Sequence, residues 1–375
     1  MRTGLNIALV ILLVLGGIGL AGCIQVGQET GGVTSAGDLI YVTTLEGKIQ
    51  AYQQDTYGRK WEWEPERKGG GLGCTTASIK PGMFYSTPLV GDGVLYIGTY
   101  EGSVYAVNDT GVKRWDYDTG SAIVGGVVLA GGTLFVGLSS GELLALDINT
   151  HTPKEGFQTF KTGDKIWSTP VVDGDTVYVS SLDHKLYALD IETGEQRWKK
   201  PFEAKGAIAS TPVVSGDTIY IGSFDNRLYA VNAATGEQKS GFEPFEAGDW
   251  FWTTPLIQDD VIYAGSLDGN LYAIDAETGA ELWSFATKGP IRSSPVIVEG
   301  VLAVGSEDGH VYGLDLVSRT QQWDFDTDTE KDVSRGAVRA PLYALEGKVY
   351  VSALNHYIYA LDVSTGVPDW QLGTE

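Results

Sequence analysis

The chain has 375 residues, of which 26 are basic and 48 acidic, for a formal net charge of −22. This charge argues against non-specific nucleic-acid binding, which requires a surplus of Lys and Arg to displace counterions from phosphates. Fifty glycines, 19 tyrosines and 10 tryptophans against two methionines are typical of a turn-rich, aromatic-rich all-β protein. The two cysteines are too few for a disulfide framework, and no CxxC motif occurs.

The N-terminal segment has the pattern of an exported lipoprotein. Arg2 is followed by an uncharged, largely apolar stretch that ends at Leu20-Ala21-Gly22-Cys23. Small residues allow the backbone to enter a signal peptidase, and the Cys thiol carries the lipid. The pattern predicts a signal peptide over residues 1–22, lipidation at Cys23 and a short tether over 23–32, with the rest of the chain extracytoplasmic, at the cell surface or in the periplasm. The alternative is an uncleaved membrane anchor, because the apolar stretch approaches spanning length.

A unit of about 44 residues recurs along the rest of the chain. Asp175–Trp198 and Asp260–Trp283 are two clear copies. One marker position, aromatic in all but one unit, recurs at intervals of 39 to 55 residues and gives eight units over residues 33–373. The marker residues are Tyr41, Tyr96, Phe135, Tyr178, Tyr220, Tyr263, Ala303 and Tyr350.

Each unit predicts four antiparallel strands. A Ser-Thr-Pro type segment makes the first strand, with Pro near its start, where a lost hydrogen-bond donor matters least. A tight hairpin with Asp-Gly type residues joins the second and third strands and requires a positive φ. His184 and His356 occupy the usual Gly position there, so we interpret them as turn residues rather than metal ligands. A Thr-Gly turn preceded by Asp or Asn leads to a fourth strand that is predicted to start at a Trp.

A single sheet of this kind exposes apolar side chains on both faces. Stacking such sheets face to face in a closed ring buries both faces and removes the free edges of an open stack. The sequence therefore predicts an all-β fold, an eight-bladed β-propeller of four-stranded antiparallel blades, with the Trp of each unit packed between blades.

An eleven-residue pattern, Ala-x-Asp-x-x-Thr-Gly-x-x-x-Trp, identifies the repeat. It is complete at Ala188–Trp198, Ala273–Trp283 and Ala360–Trp370. The pattern resembles the repeat of the PQQ-binding-like β-propellers, which include quinoprotein alcohol dehydrogenases and BamB-type outer-membrane assembly lipoproteins. The resemblance covers about residues 33–373, and it is much more specific for fold than for function.

The resemblance leaves two functional classes open. Dehydrogenases of this family pair the propeller with adjacent cysteines over pyrroloquinoline quinone (PQQ), a Ca²⁺ site and a catalytic Asp. Here Cys23 and Cys74 are not adjacent, and no haem-attachment motif follows. The resemblance therefore implies a non-catalytic, BamB-like binding scaffold without PQQ or Ca²⁺. A PQQ-dependent alcohol or sugar dehydrogenase is the alternative.

The resemblance also bears on partners. In a bacterium with two membranes it implies help in assembling outer-membrane proteins, and in other cells a surface-anchored binding protein. We expect a monomer, attached to the membrane by its lipid, that binds a protein or peptide or an anionic glycan and no nucleic acid.

The segments that lead into the first strands carry basic and aromatic side chains. In a propeller these segments ring the mouth of the central channel, on the same face as the Asp-Gly turns. Aromatic rings offer contact area at low entropic cost and Arg binds carboxylates bidentately, so the segments predict a ligand or partner site. The predicted site residues are Tyr85, Lys165, Trp167, Lys205, Trp250, Trp252, Lys288, Arg292, Arg335 and Arg339.

The alternative for these basic residues is pairing with neighbouring acidic turns. The turns in question carry Glu101, Asp183, Asp225, Asp268 and Asp308. In that case the charges of the mouth are already neutralised within the protein.

Asp324, Asp326 and Asp328 resemble the start of a Ca²⁺ loop, but Thr329 replaces the Gly that turns such a loop. Strand alternation alone places the three carboxylates on one solvated face, so no metal site is predicted.

The insertion 62–84 is the one long departure from the repeat, and its Gly-rich sequence predicts a mobile loop and a partner contact. It contains Cys74, which we interpret as a spare thiol. The alternative, a Cys23–Cys74 disulfide, excludes lipidation at Cys23.

Overall fold

The computed structural model describes residues 31–44, 46–65, 83–327 and 336–374. The predicted signal peptide, Cys23, most of the tether, Cys74 and the centre of the insertion lie outside these residues. Within the described ranges, we find no helical segment with the length and apolar character that crossing a bilayer requires.

The described strands form eight sheets, which we call blades 1 to 8 in chain order. Blade 1 contains β1 (Val33–Ala36), β2 (Leu39–Thr43), β3 (Ile49–Gln53) and β4 (Arg59–Trp63). Blade 2 contains β5 (Leu89–Gly91), β6 (Val94–Gly98), β7 (Ser103–Asn108) and β8 (Lys113–Asp118). Blade 3 contains β9 (Val127–Ala130), β10 (Thr133–Gly137), β11 (Glu142–Asp147), β12 (Thr152–Pro153) and β13 (Phe160–Lys161). Blade 4 contains β14 (Val171–Asp173), β15 (Thr176–Ser180), β16 (Lys185–Asp190) and β17 (Phe202–Glu203).

The second half of the ring repeats this arrangement. Blade 5 contains β18 (Val213–Ser215), β19 (Thr218–Gly222), β20 (Arg227–Asn232) and β21 (Phe245–Glu246). Blade 6 contains β22 (Leu256–Gln258), β23 (Val261–Gly265), β24 (Asn270–Asp275) and β25 (Glu281–Ala286). Blade 7 contains β26 (Val296–Val298), β27 (Val301–Gly305), β28 (His310–Asp315) and β29 (Thr320–Asp326). Blade 8 contains β30 (Tyr343–Leu345), β31 (Lys348–Ser352), β32 (Tyr357–Asp362) and β33 (Pro368–Gly373).

Consecutive strands pair antiparallel, except that in blade 3 both β12 and β13 pair with β11 and together take the place of the fourth strand. The first strands of neighbouring blades contact each other, as β5 does with β9 and β14 with β18. First strands therefore surround the central channel and fourth strands lie at the periphery. Because strands alternate in direction, the turns between second and third strands lie on the same face as the segments that connect blades.

The core consists of eight apolar clusters of described residues, each between the facing sheets of two neighbouring blades. One cluster joins Ile40 of blade 1 to Tyr350 of blade 8, and Trp370 stacks on Tyr57 across the same seam at 4.7 Å. Each blade takes its strands from one continuous segment, so the ring closes by packing of faces and without strand exchange. This architecture confirms the predicted eight-bladed propeller.

The tryptophan of the repeat packs between blades, as predicted. Trp198 of blade 4 donates a hydrogen bond from Nε1 to the Ala233 carbonyl of blade 5 at 2.9 Å. Its indole covers Gly236, where an added Cβ would lie 2.5 Å from the ring. Trp323 makes the equivalent hydrogen bond from blade 7 to Val363 of blade 8 at 2.6 Å.

The predicted start of the fourth strand at Trp is wrong. In blade 6 the strand begins at Glu281, before Trp283, and in blade 4 it begins only at Phe202, after Trp198. Pro201 and Pro244 directly precede β17 and the Phe245 start of β21, and Pro has no N–H to donate to the neighbouring strand. The outer strands of blades 4 and 5 are therefore shortened to two residues.

The insertion is shorter than predicted. Glu62 and Trp63 belong to β4, and Phe84 is buried in the cluster between blades 1 and 2. The hairpin prediction is confirmed: His184 and His356 both have positive φ, 74° and 65°.

Candidate functional site

The segment before each first strand places one side chain at the channel mouth. In blade 4, Ile166 is fully buried, and Ser168 donates from Oγ to the Ser180 carbonyl at 2.9 Å. Successive side chains of an extended chain alternate in direction, so Trp167, between these two buried residues, faces the channel. We call this place in each blade the mouth position.

Seven described mouth positions line one cavity of about 340 Å³. The blade 1 equivalent lies outside the described residues. The seven are Tyr85, Val124, Trp167, Ala209, Trp252, Arg292 and Arg339. Blades 2 to 6 thus contribute apolar or aromatic side chains, whereas blades 7 and 8 contribute two guanidinium groups. The mouth therefore has an apolar arc and a cationic arc.

Hydroxyl groups line the cavity next to the mouth positions and connect neighbouring blades. Thr169 Oγ1 accepts a hydrogen bond from Gly126 N at 2.7 Å, and Thr211 Oγ1 accepts one from Thr169 N at 3.2 Å. These hydrogen bonds link blades 3, 4 and 5. The threonine side chains form a polar, uncharged part of the cavity wall.

The two arginines of the cationic arc share one carboxylate. Arg292 Nε donates a hydrogen bond to Glu307 Oε1 at 2.5 Å. Arg339 Nε lies 2.9 Å from the same oxygen, outside hydrogen-bonding geometry, so this contact is an ion pair. The three groups carry a formal charge of +1, and each side chain is only 18–26% exposed. Because these groups are largely shielded from water, their attraction for an anion is stronger than that of the same charge in bulk water.

A stack of rings joins the apolar arc to the cationic arc. The Arg292 guanidinium lies over Trp252, with 4.8 Å between Cζ and the ring centroid. Trp252 stacks with Phe224 at 5.0 Å, and Phe224 stacks with Trp250 at 4.4 Å. Trp250 is 41% exposed, so the stack runs from the outer surface into the mouth.

Trp167 faces the same cavity from blade 4. Its ring centroid lies 6.4 Å from that of Trp252. Its Nε1 is buried and has no hydrogen-bond acceptor among the described residues. An unsatisfied buried donor costs about 1–3 kcal/mol.

The structure divides the predicted site residues into two groups. Tyr85, Trp167, Trp252, Arg292 and Arg339 line the cavity. Lys165, Lys205, Trp250 and Lys288 lie in the same connecting segments but do not line it, and Arg335 is outside the described residues. A binding role for either group stays a prediction.

Four of the acidic turn residues bond to backbone N–H groups and a Tyr hydroxyl, whereas the two mouth arginines pair with Glu307, which directly precedes the turn residue Asp308. The Asp268 carboxylate accepts hydrogen bonds from Asn270 N, Gly248 N and the Tyr272 hydroxyl. Equivalent bonds to backbone N–H groups and a Tyr hydroxyl are made by Asp183, Asp225 and Asp308. Burial first, and then the bond to Asp268, raise the pKa of Tyr272 to about 12, so its hydroxyl remains a donor at neutral pH.

Sequence reasoning missed Val124 and Ala209, because small apolar residues do not suggest binding. It also missed Phe224 and Glu307, which precede the turn Asp of blades 5 and 7. Leu182, Leu267 and Leu354 precede the corresponding turns of blades 4, 6 and 8. The available signal was Glu307, a charged residue at a repeat position where these three units have Leu.

The described residues do not fit a Ca²⁺-bound quinone. No carboxylate or carboxamide is among the described residues that line the cavity, and Ca²⁺ requires several such oxygen ligands. Asp324 and Asp326 are exposed on β29, and Asp324 pairs with His310 at 3.3 Å; Asp328 lies outside the described residues. No group of three metal-binding side chains occurs in the part of the chain that the structure describes. The absence of PQQ and metal stays a prediction.

The fold and the repeats define a β-propeller protein of the PQQ-like repeat class. The chain belongs to the family described as outer membrane protein assembly factor BamB, whose model matches residues 19–152, 154–250 and 243–374. A curated relative, outer membrane protein assembly factor BamB of Nitrosomonas eutropha, is 24% identical over 188 residues. This match covers 46% of the chain and 42% of that relative, less than half of its length.

Two solved structures share the fold. BamB from Moraxella catarrhalis is similar with a TM-score of 0.69 and 21% identity, over 86% of this chain and 90% of that one. The computationally designed Ika8 protein is similar with a TM-score of 0.72 and 15% identity, over 89% of this chain and 99% of that one.

Proposed function

We propose that this protein is an extracytoplasmic, lipid-anchored and non-catalytic scaffold that binds a partner protein of the cell envelope at its channel mouth. In a cell with an outer membrane, its task would be to assist the assembly of outer-membrane proteins. The observation that carries the proposal is the family match over nearly the whole propeller, combined with a mouth whose apolar and cationic arcs suit a polypeptide.

Cross-linking at the cell surface or in the periplasm tests the partner site. Arg292→Glu together with Arg339→Glu should abolish capture of the main cross-linked partner, because the cationic arc becomes acidic. Lys205→Glu together with Lys288→Glu is the matched control, since it makes the same charge change in the same connecting segments without altering the cavity lining. Capture that survives the arginine reversals, or that falls equally in the control, contradicts the proposed site.

Fractionation tests the lipid anchor. Cys23→Ser removes the thiol that would carry the lipid, so the protein should leave the membrane fraction and lose incorporation of labelled fatty acid. A variant that retains membrane attachment without the label indicates an uncleaved anchor instead.

Titration tests the absence of catalysis. The purified protein should show no dye reduction with an alcohol after incubation with PQQ and Ca²⁺, because no carboxylate among the described residues lines the cavity. Dye reduction that requires all three additions would identify a quinoprotein dehydrogenase.

A further inference from the structure

The mouth carries three different binding elements close together. Arg292 supplies a guanidinium group, Trp252 an aromatic ring in contact with that group, and Trp167 a second aromatic ring. Trp252 lies between the other two, with 4.8 Å to Arg292 Cζ and 6.4 Å to the Trp167 ring centroid. About three residues of extended polypeptide span all of them.

The guanidinium pair keeps binding capacity for an external anion. Oε1 of Glu307 lies nearest to the Nε atoms of Arg292 and Arg339. Among the described residues, none accepts a hydrogen bond from the terminal nitrogens of either arginine. The terminal nitrogens of Arg form paired hydrogen bonds with a carboxylate, and a formal charge of +1 remains on the three groups.

The three elements together select the ligand. A carboxylate satisfies the arginines, and an aromatic side chain packs against the rings of Trp252 and Trp167 that line the cavity. An anionic glycan is less suitable, because sugar hydroxyls are held by carboxylates and carboxamides, and the described cavity lining has neither.

We propose that the mouth binds an extended peptide segment in which an acidic and an aromatic residue lie two positions apart, so that both face the mouth, with the carboxylate on Arg292 and Arg339 and the aromatic ring on Trp252. Glu307 limits the affinity of this site, because it neutralises one of the two positive charges. The inference rests on the proposed function and names the chemistry of the segment that the partner presents.

Calorimetric titration of the purified full chain provides the test. The probe is a blocked pentapeptide with glutamate at the second position, phenylalanine at the fourth and glycine elsewhere, and its match has glutamine in place of the glutamate. We expect the acidic peptide to bind at least about tenfold more tightly than its match, and Arg292→Gln or Arg339→Gln to weaken it by about tenfold. Lys288→Gln, the matched control, should change its affinity by less than about twofold.

Glu307→Gln is the discriminating variant. It keeps the shape of the side chain and raises the formal charge of the three groups to +2, so the acidic peptide should bind about tenfold more tightly. Glu307→Leu, which installs the residue type of Leu182 and Leu267, is the second variant if the first does not fold, and the same direction is expected. Weaker or unchanged binding in the folded variant overturns the proposal.

Two further results would overturn it. One is equal affinity for the two peptides; the other is binding of an oligoglucuronate or of PQQ by a protein that does not bind the acidic peptide. If partner capture in cells requires the arginines while the affinity for the peptide is unchanged by Glu307→Gln, the scaffold function stands and this inference fails. If partner capture is unchanged when both arginines are replaced, the proposed partner site itself is wrong.

Discussion

The Asp268 carboxylate links the end of one blade to the hairpin of the next. Oδ2 accepts a hydrogen bond from Gly248 N, after the outer strand of blade 5, at 2.7 Å and one from the Tyr272 hydroxyl at 2.7 Å. Oδ1 accepts one from Asn270 N at 2.8 Å. The same three-way linkage recurs at three other turns, so a single residue type sets the spacing of the connecting segments that carry the mouth positions.

Asp268→Asn tests this linkage. The amide group would turn a donor toward either Gly248 N or the backbone of its own hairpin, so at least one hydrogen bond is lost. We expect the free energy of unfolding to fall by about 1–3 kcal/mol in urea titration. Asp38→Asn is the control, because Asp38 is exposed and its carboxylate has no partner among the described residues. An equal effect of the two substitutions would rule the linkage out.

A second set of carboxylates should make the stability of the fold sensitive to acid. The bond from Thr193 N, and then the Arg197 side chain, lower the pKa of Asp190 to about 2, and turn hydrogen bonds also lower the pKa of Asp275 and Asp362. A lowered folded-state pKa stabilises the protein above the ordinary Asp pKa, and this contribution disappears as the pH falls through the folded-state value. The free energy of unfolding should therefore fall steeply between about pH 4 and pH 2.

Urea titrations at a series of pH values check this. Asp190→Asn should show a smaller loss of stability than the natural protein over the acidic range. A natural protein whose stability is constant down to pH 2 would show that these turns contribute nothing.

At the scale of elements, the contact between blades depends on the residue at the Trp position. Trp198 is 4% exposed, covers Gly236 and donates to the Ala233 carbonyl. Phe157 and Phe242 occupy the equivalent places in blades 3 and 5, where they keep the ring and lose the hydrogen bond. Packing of the ring is therefore the common requirement.

Two substitutions separate ring packing from hydrogen bonding. Trp198→Ala should cost about 3–5 kcal/mol of unfolding free energy, because it leaves a cavity between blades 4 and 5. Trp198→Phe should cost about 1 kcal/mol, the value of one lost hydrogen bond. Denaturant titration measures both, with Val317→Ala as the control at a side chain that is 92% exposed. Equal costs for Phe and Ala would show that the hydrogen bond dominates.

The sequence was sufficient to predict the blades because their determinants are local. The repeat period, the positive-φ turn residues such as Asn226 and the Thr-Gly turns all act within one unit. The shortened outer strands were not predicted, since the effect of Pro201 depends on which partner strand needs its missing N–H. The contacts between blades 1 and 8 could not be predicted either, because Ile40 meets Tyr350 only after the whole ring has formed.

The site was predictable in part for the same reason. The channel-facing direction of Trp167 follows from its buried neighbours, whereas Lys205 and Lys288 lie in equivalent segments without lining the cavity. Phe224 reaches Trp252 from the turn of the preceding unit, and Glu307 pairs with Arg339 of the following unit, so only the three-dimensional arrangement shows these contacts.

At the scale of the whole molecule, circular stacking explains why the site is composite. Each blade contributes one mouth position, so neighbouring mouth positions are about 40 residues apart in sequence. No single repeat contains the site, and a change in one blade alters one side chain of the mouth without changing the fold. The apolar and cationic arcs are therefore a property of the ring and not of any repeat.

Site-specific photo-cross-linking in cells tests the partner site most directly. A photoreactive amino acid at Ala209, a mouth position, is compared with one at Val317, in the turn between β28 and β29 on the opposite face. We predict that position 209 cross-links one main protein partner, that Arg292→Gln with Arg339→Gln abolishes this product, and that position 317 does not form it. Cross-linking of that partner from 317 and not from 209 would contradict the account.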